Sequence, residues 1–252
     1  MPGRAVFRKT GPASDAPLFD AEADGLAALA ATGTVRVPEV YAVGVRGDEA
    51  FIEMERFALR APDADCQRRF GAALAALHRS TASEHGWPRD NFIGRSSQPN
   101  PPTGDWVAFF GEHRLGHQLE LAGRNGYGGE LQTRGRRLID ELDGLFNGYV
   151  PAPSLLHGDL WGGNWGMAGG GPVTYDPAVY YGDRETDLAM SRLFGGFGPP
   201  FYEAYDAAWP PAPGRDRRVA LYQLYHVLNH LNLFGAGYLG SAMDLLRGLT
   251  GR

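Results

Sequence analysis

The sequence predicts an α+β chain in two parts: a short β-rich part, residues 1–57, and a larger, mainly helical part, residues 58–252. Three observations carry this prediction. Strand-like runs crowd the beginning, at 5–9, 40–45 and 50–55, and the last two flank the turn Arg46-Gly47-Asp48-Glu49. Apolar residues at helical spacing dominate most of the chain after residue 64. The length, with 43% hydrophobic residues, is enough to bury a substantial core.

Taken in order, Ala5-Val6-Phe7-Arg8-Lys9 reads as a strand, and residues 17–31 as a helix with Asp15 as its cap and Gly33 as its stop. At about 100° per residue, Leu18, Leu26 and Leu29 share one face of that helix, with Glu22 in its middle, while Asp20 and Asp24 point away. A carboxylate aimed at a core needs a cation, and Lys9, the only lysine in the chain, stands on the preceding strand. Glu22 is otherwise a solvated residue near a helix start. Helices are expected over 65–80, with Phe70, Leu74, Leu77 and His78 in one stripe, and over 105–122 and 130–146. The Pro- and Asn-rich stretch 87–104 reads as an ordered loop. Leu155-Leu156 and Val173-Thr174-Tyr175 read as short buried strands, and further helices are expected over 184–194, 219–234 and 239–249.

Bulk properties exclude several functions. A net charge of −5 leaves no electrostatic footprint for nucleic acid, and no apolar run approaches membrane-spanning length. Cys66 alone supports neither an intramolecular disulfide nor a cysteine-based zinc site, so the expected location is the cytoplasm.

The chemistry concentrates in His157-Gly158-Asp159-Leu160-Trp161-Gly162-Gly163-Asn164 and, twelve residues on, Tyr175-Asp176-Pro177. A phosphotransferase loop needs a carboxylate that accepts the acceptor hydroxyl's proton, an amide five residues later for magnesium, and, after a hairpin, an Asp for the metal that bridges the nucleotide phosphates. Asp159, Asn164 and Asp176 stand at that spacing, so the pattern points to a small-molecule kinase. In such a chain the strand ending at Glu55-Arg56-Phe57 would cross between lobes, where backbone groups meet adenine.

Ser154 to Asn164, Asp176 to Glu185, Asp187-Leu188-Ala189, Leu193 to Phe197 and Leu221 to His226 together resemble the fructosamine kinase (ketosamine 3-kinase) family. Gln98 with Asn100, and Trp106 with Phe109-Phe110 and Arg114-Leu115, resemble it too. The resemblance implies a two-lobed protein-kinase-like fold and ATP-dependent phosphorylation of the 3-hydroxyl of a sugar joined by a ketoamine link to a small molecule or protein amine. It also implies Asp159 as base, Asn164 and Asp176 as Mg2+ ligands, Lys9 on the phosphates with Glu22 holding it, and the backbone of Met54, Glu55 and Phe57 at adenine. Trp161 either stacks on the sugar or packs in the core. His226, Asn229 and His230 share a helix face at zinc-like i, i+4 spacing, but with no HExxH glutamate and no third ligand in view, packing or a substrate contact at His226 is expected ahead of zinc. Asp187 is expected to tie down the loop. Arg184 and Glu185 form either an exposed pair or part of the pocket wall. Related acceptors such as aminoglycosides or choline, and a non-catalytic pseudokinase binding module, are the alternatives.

One part of the pattern is missing. Eight residues precede Lys9, where a kinase small lobe carries two strands and a glycine-rich turn over the phosphates, and Gly3 alone does not replace that turn. A start codon placed too far downstream is the leading expectation, ahead of weak nucleotide binding or lost catalysis. The chain as written is then expected to be less stable and less active than an N-terminally extended one, with an unpaired edge on the strand at 5–9.

Overall fold

The computed structural model describes residues 5–251, so Gly3 lies outside the described residues. Strands β1 (Val6–Pro12), β2 (Val40–Arg46) and β3 (Glu49–Glu55) form an antiparallel sheet in the order β1-β3-β2. The turn Gly47-Asp48 joins β2 to β3, with Gly47 at φ 62°. Among the described residues β1 pairs with β3 alone, placing Lys9 opposite Ile52 and Phe7 opposite Met54. Helix α1 (Ala16–Ala31) packs on β2 and β3. Its buried residues, Phe19, Leu26 and Leu29, belong to the same apolar cluster as Ile52 and Met54. That cluster continues into α2 (Ala64–His78) through Phe70, Leu74 and Leu77, so sheet and helices share one core.

Asp15 does not cap α1. Its carboxylate turns to the Arg95 guanidinium, at 2.6 and 3.1 Å, and accepts no helix N–H. Caps do form at Asp63, which accepts from Cys66 N, and at Asp105, which accepts from Val107 N and Ala108 N.

The stretch 87–104 contains a hairpin, β4 (Asn91–Ile93) paired with β5 (Ser96–Gln98). Downstream, α3 (Trp106–Phe110) runs through a π-helical segment, Gly111–Gly116, into α4 (His117–Arg124). The helix expected to reach 146 stops earlier: α5 (Glu130–Asp140) is followed by a separate 3-10 turn. Strands β6 (Ser154–Leu156) and β9 (Tyr180–Gly182) pair antiparallel, as do β7 (Trp165–Ala168) and β8 (Gly171–Thr174). The chain ends in α6 (Glu185–Leu193), α7 (Pro199–Ala208), α8 (Arg215–Phe234) and α9 (Leu239–Thr250). Helix α7 was not expected from the sequence, which placed no helix over 199–208. The prolines occupy its first turn, where no N–H is needed.

Arg184 and Glu185 are neither an exposed pair nor bonded to each other. Glu185 is fully buried and receives Arg218 Nε and Nη2 at 2.8 and 3.0 Å. Arg184 donates to Tyr205 Oη and to the carbonyls of Trp209 and Pro210.

Candidate active site

The pairing of β6 with β9 sets Leu156 opposite Tyr180 and so brings the loop after β6 against the segment after β8. Gly158 makes the close approach possible. It sits at φ 84°, and a Cβ there would lie 1.9 Å from the Ala178 carbonyl oxygen. Ala178 N donates to His157 O across the same contact, at 2.8 Å. The loop is anchored from below by Asp187, whose carboxylate accepts His157 N at 2.7 Å and Gly158 N at 2.8 Å. Asp187 is thus the structural carboxylate anticipated from the sequence.

On this frame Asn164 Nδ2 donates to Asp159 O (2.9 Å) and Asp159 Oδ2 (3.1 Å), and reaches Asp176 O at 3.4 Å. Tyr175 N donates to Asn164 O, locking the hairpin of β7 and β8 to the loop. Asp176 follows at φ 56°, the one positive-φ residue other than glycine among the described residues. Such a conformation costs on the order of 1–3 kcal/mol and persists where surrounding bonds dictate it.

Lys9 closes the arrangement. Its Nζ donates to Glu22 Oε1 and Oε2 at 2.8 and 3.0 Å and to Asp176 Oδ1 at 2.6 Å. The ion pair anticipated between Lys9 and Glu22 therefore forms, and it reaches across to Asp176. Burial alone would lower the Lys9 pKa, but the charges of Glu22 and Asp176 outweigh it and keep the ammonium protonated. Asp159 faces no cation among its hydrogen-bond partners. Burial pushes its carboxyl up to about 7, against the Asn164 hydrogen bond, which lowers it.

Two cavities meet at Lys9 and Asp176, which line both. The first, about 390 Å³, is also walled by Asp159, Trp161, Asn164 and Glu22. The second, about 350 Å³, is walled by Met54, Glu55 and Phe57 with Val6 and Tyr175. Arg36 bonds Glu55 at 2.6 Å and lies over the Phe57 ring, stiffening that wall. Trp161 is 38% exposed and edge-on to Phe194, so it is not a core residue.

His226 does not belong to this site. It is buried, lines neither cavity, and neither ring nitrogen has a partner; burial pushes its pKa down to about 3, so it stays neutral. One turn later, His230 does line the first cavity, together with Asn229, Asn91 and Arg95. These four were not picked from the sequence as site residues. Asn229 and His230 were visible on the helix face shared with His226; Asn91, in a strand of three residues, and Arg95, in the turn after it, had no signal, because such short pieces carry no usable periodicity.

The donor set suits magnesium. Asp176 offers a carboxylate, and Asn164, with its NH2 turned to Asp159, offers an amide oxygen; both are hard oxygen ligands. No group of three His, Cys, Asp or Glu side chains that could cage a metal occurs among the described residues. Magnesium shared with nucleotide phosphates needs none.

An Asp beside an Asn five residues on, a second Asp beyond a hairpin, and a strand Lys paired to a helix Glu define the class of protein-kinase-like phosphotransferases acting on hydroxyl groups. Choline kinase LicA from Streptococcus pneumoniae shares the fold, with a TM-score of 0.67 at 13% identity over 100% of this chain and 88% of that one. The chain belongs to the fructosamine kinase family, whose profile matches residues 2–251. It is 44% identical over 243 residues to a probable ketoamine kinase of Synechocystis sp., covering 96% of this chain and 81% of the relative. A putative fructosamine-3-kinase from Thermobifida fusca superposes with a TM-score of 0.89 at 35% identity, covering 98% of this chain and 86% of that one.

Proposed function

We propose that this protein transfers the γ-phosphoryl group of ATP, with Mg2+, to the 3-hydroxyl of a ketosamine sugar carried on a small-molecule or protein amine, a step in protein deglycation. The observation that carries the reading is the meeting of two cavities at the Lys9–Glu22–Asp176 cluster, with Asp159 on the wall of the first. One cavity then takes the nucleotide and the other the acceptor.

In this reading the backbone at Met54, Glu55 and Phe57 meets adenine, and Lys9, held by Glu22, contacts the phosphates. Asn164 and Asp176 hold Mg2+, which supplies neutralisation of phosphate charge when bound. Asp159 orients the acceptor hydroxyl and takes its proton; a carboxyl raised to about 7 is better matched to that transfer than an ordinary one. Trp161 covers the sugar. Positioning and fixed charges account for most of the rate, since the transferred group asks for little covalent help. The far stronger likeness to ketoamine kinases than to the choline kinase, 44% against 13% identity, supports a ketosamine acceptor. A cytoplasmic location fits a chain with a single cysteine, and no described helix is long and apolar enough to cross a membrane.

The test is Asp159→Ala, assayed for ATP consumption with fructosyl-lysine, choline and an aminoglycoside. Transfer to fructosyl-lysine should fall by roughly a hundred- to ten-thousandfold, with nucleotide affinity retained. A variant that keeps most of its rate removes Asp159 from the base role, and wild-type turnover on choline alone overturns the acceptor class.

A further inference from the structure

An unbroken strip of aromatic rings begins in the acceptor cavity and runs out onto the surface. Trp161, two residues after Asp159, meets Phe194 at 6.3 Å between ring centres. Phe194 lies 4.7 Å from His230, which lies 5.4 Å from Phe234 and 5.2 Å from Tyr238. Trp161, His230 and Phe234 line the cavity itself. Trp161, Phe194 and Phe234 are nonetheless 38%, 39% and 67% exposed, which is a large aromatic surface to leave in water beside a cleft.

The charges around the strip are as telling as its rings. Both cations that line the cavity are already engaged, Lys9 by Glu22 and Asp176, and Arg95 by Asp15. Asp159 has no cationic partner among the described residues. Among the described residues the mouth therefore offers π faces and carboxylate but no uncommitted cation, a surface for something apolar and positively charged. A ketosamine has such a part. Its sugar is joined through a secondary amine, protonated near neutral pH, to an alkyl stem.

Resting on the ketosamine reading of the cavity, we propose that Phe194, His230 and Phe234, continuing outward from Trp161 on the sugar, form a second subsite, which holds the amine arm of the substrate while the sugar lies at Asp159. The ammonium sits against the inner rings and the alkyl stem runs along the outer ones. Phe234, the most exposed ring, then reads arm length. The strip favours a lysine side chain, whose ammonium is four methylenes from the backbone, over a short arm that carries a carboxylate next to the nitrogen.

The test is steady-state ATP turnover by the purified full chain with two probes, fructosylated Nα-acetyl-lysine and fructosyl-glycine. The readout is the ratio of their kcat/KM values. The wild type should favour the lysine probe by about tenfold or more, and Phe234→Ala and Phe194→Ala should each shrink that ratio by about three- to tenfold. The change should enter through KM for the lysine probe. Both rings are at the surface, and melting temperatures of the variants check that the fold is kept. A ratio unchanged in both variants overturns the subsite, even if absolute rates fall. Turnover of neither probe by the wild type is a different result: it overturns the ketosamine reading of the cavity, and the subsite with it.

Discussion

Replacing Asp187 with Asn probes how the loop bearing Asp159 is held. The carboxylate is fully buried and takes three hydrogen-bonding groups at once: His157 N at 2.7 Å, Gly158 N at 2.8 Å and His78 Nε2 at 3.1 Å. Asn offers one acceptor oxygen where two are used, and its NH2 would point at a backbone N–H. Each hydrogen bond to a buried charge contributes about 1.5–3 kcal/mol, and a buried donor left unpaired costs about 1–3 kcal/mol. Because the three groups share one carboxylate, these losses overlap, and about 3–4 kcal/mol in total is expected. At about 2–4 °C per kcal/mol for a chain of this size, the melting temperature should drop by roughly 6–16 °C.

The effect carries a pH signature. Burial alone would raise the Asp187 carboxyl, but the hydrogen bonds from His78 and the Gly158 N–H outweigh it and hold its pKa below the ordinary value. A carboxyl depressed in the folded state stabilises above its unfolded pKa of about 3.9 and loses that contribution as pH falls through the folded value. Asp187→Asn should therefore destabilise most near neutrality and least below about pH 4. With the loop loosened, kcat should fall by at least about tenfold, since positioning of Asp159 is lost, while nucleotide affinity changes little. Thermal melts across pH with parallel ATP-turnover assays check this. A variant melting within about 2 °C of the wild type at pH 7 would refute the anchoring argument.

Two further outcomes follow from buried geometry. Arg218→Met strands the fully buried Glu185 without its cation, which should cost about 3–5 kcal/mol in urea unfolding; Arg218→Met with Glu185→Met should recover most of it, and a double variant as unstable as the single would show that the pair is not the cause. Gly158→Ala forces a Cβ to within 1.9 Å of the Ala178 carbonyl oxygen at φ 84°, so the loop must shift and kcat should drop by about a hundredfold or more, with circular dichroism near that of the wild type; unchanged kcat would mean the loop tolerates the displacement.

The polar groups gathered at the cleft were legible because their spacing is local. Asp159 and Asn164 are five residues apart in one loop, and Asp176 follows on the next hairpin, so spacing alone puts them at one edge. The Lys9–Glu22 pair was legible because a helix carries its own phase: a carboxylate among Leu26 and Leu29 must meet a cation, and the chain has one lysine. Helix α7 was hidden by prolines that break helices in their interior yet start them well. Asp15 had the composition of a cap, but a distant guanidinium competed for its carboxylate and won.

From the sequence alone come the α+β character, the family, and the identity of the carboxylates, amide and ammonium of the cleft, because short-range spacing and helical phase dictate them. Which histidine of α8 reaches the first cavity was decided only by tertiary packing. His226 and His230 share a helix face, and the seating of that helix in the core buries one and leaves the other on the cavity wall. The same holds for Arg95 at Asp15, for Asp187 beneath the loop, and for the aromatic strip from Trp161 to Phe234. Each joins residues dozens of positions apart, and such contacts exist only once the elements between them have docked.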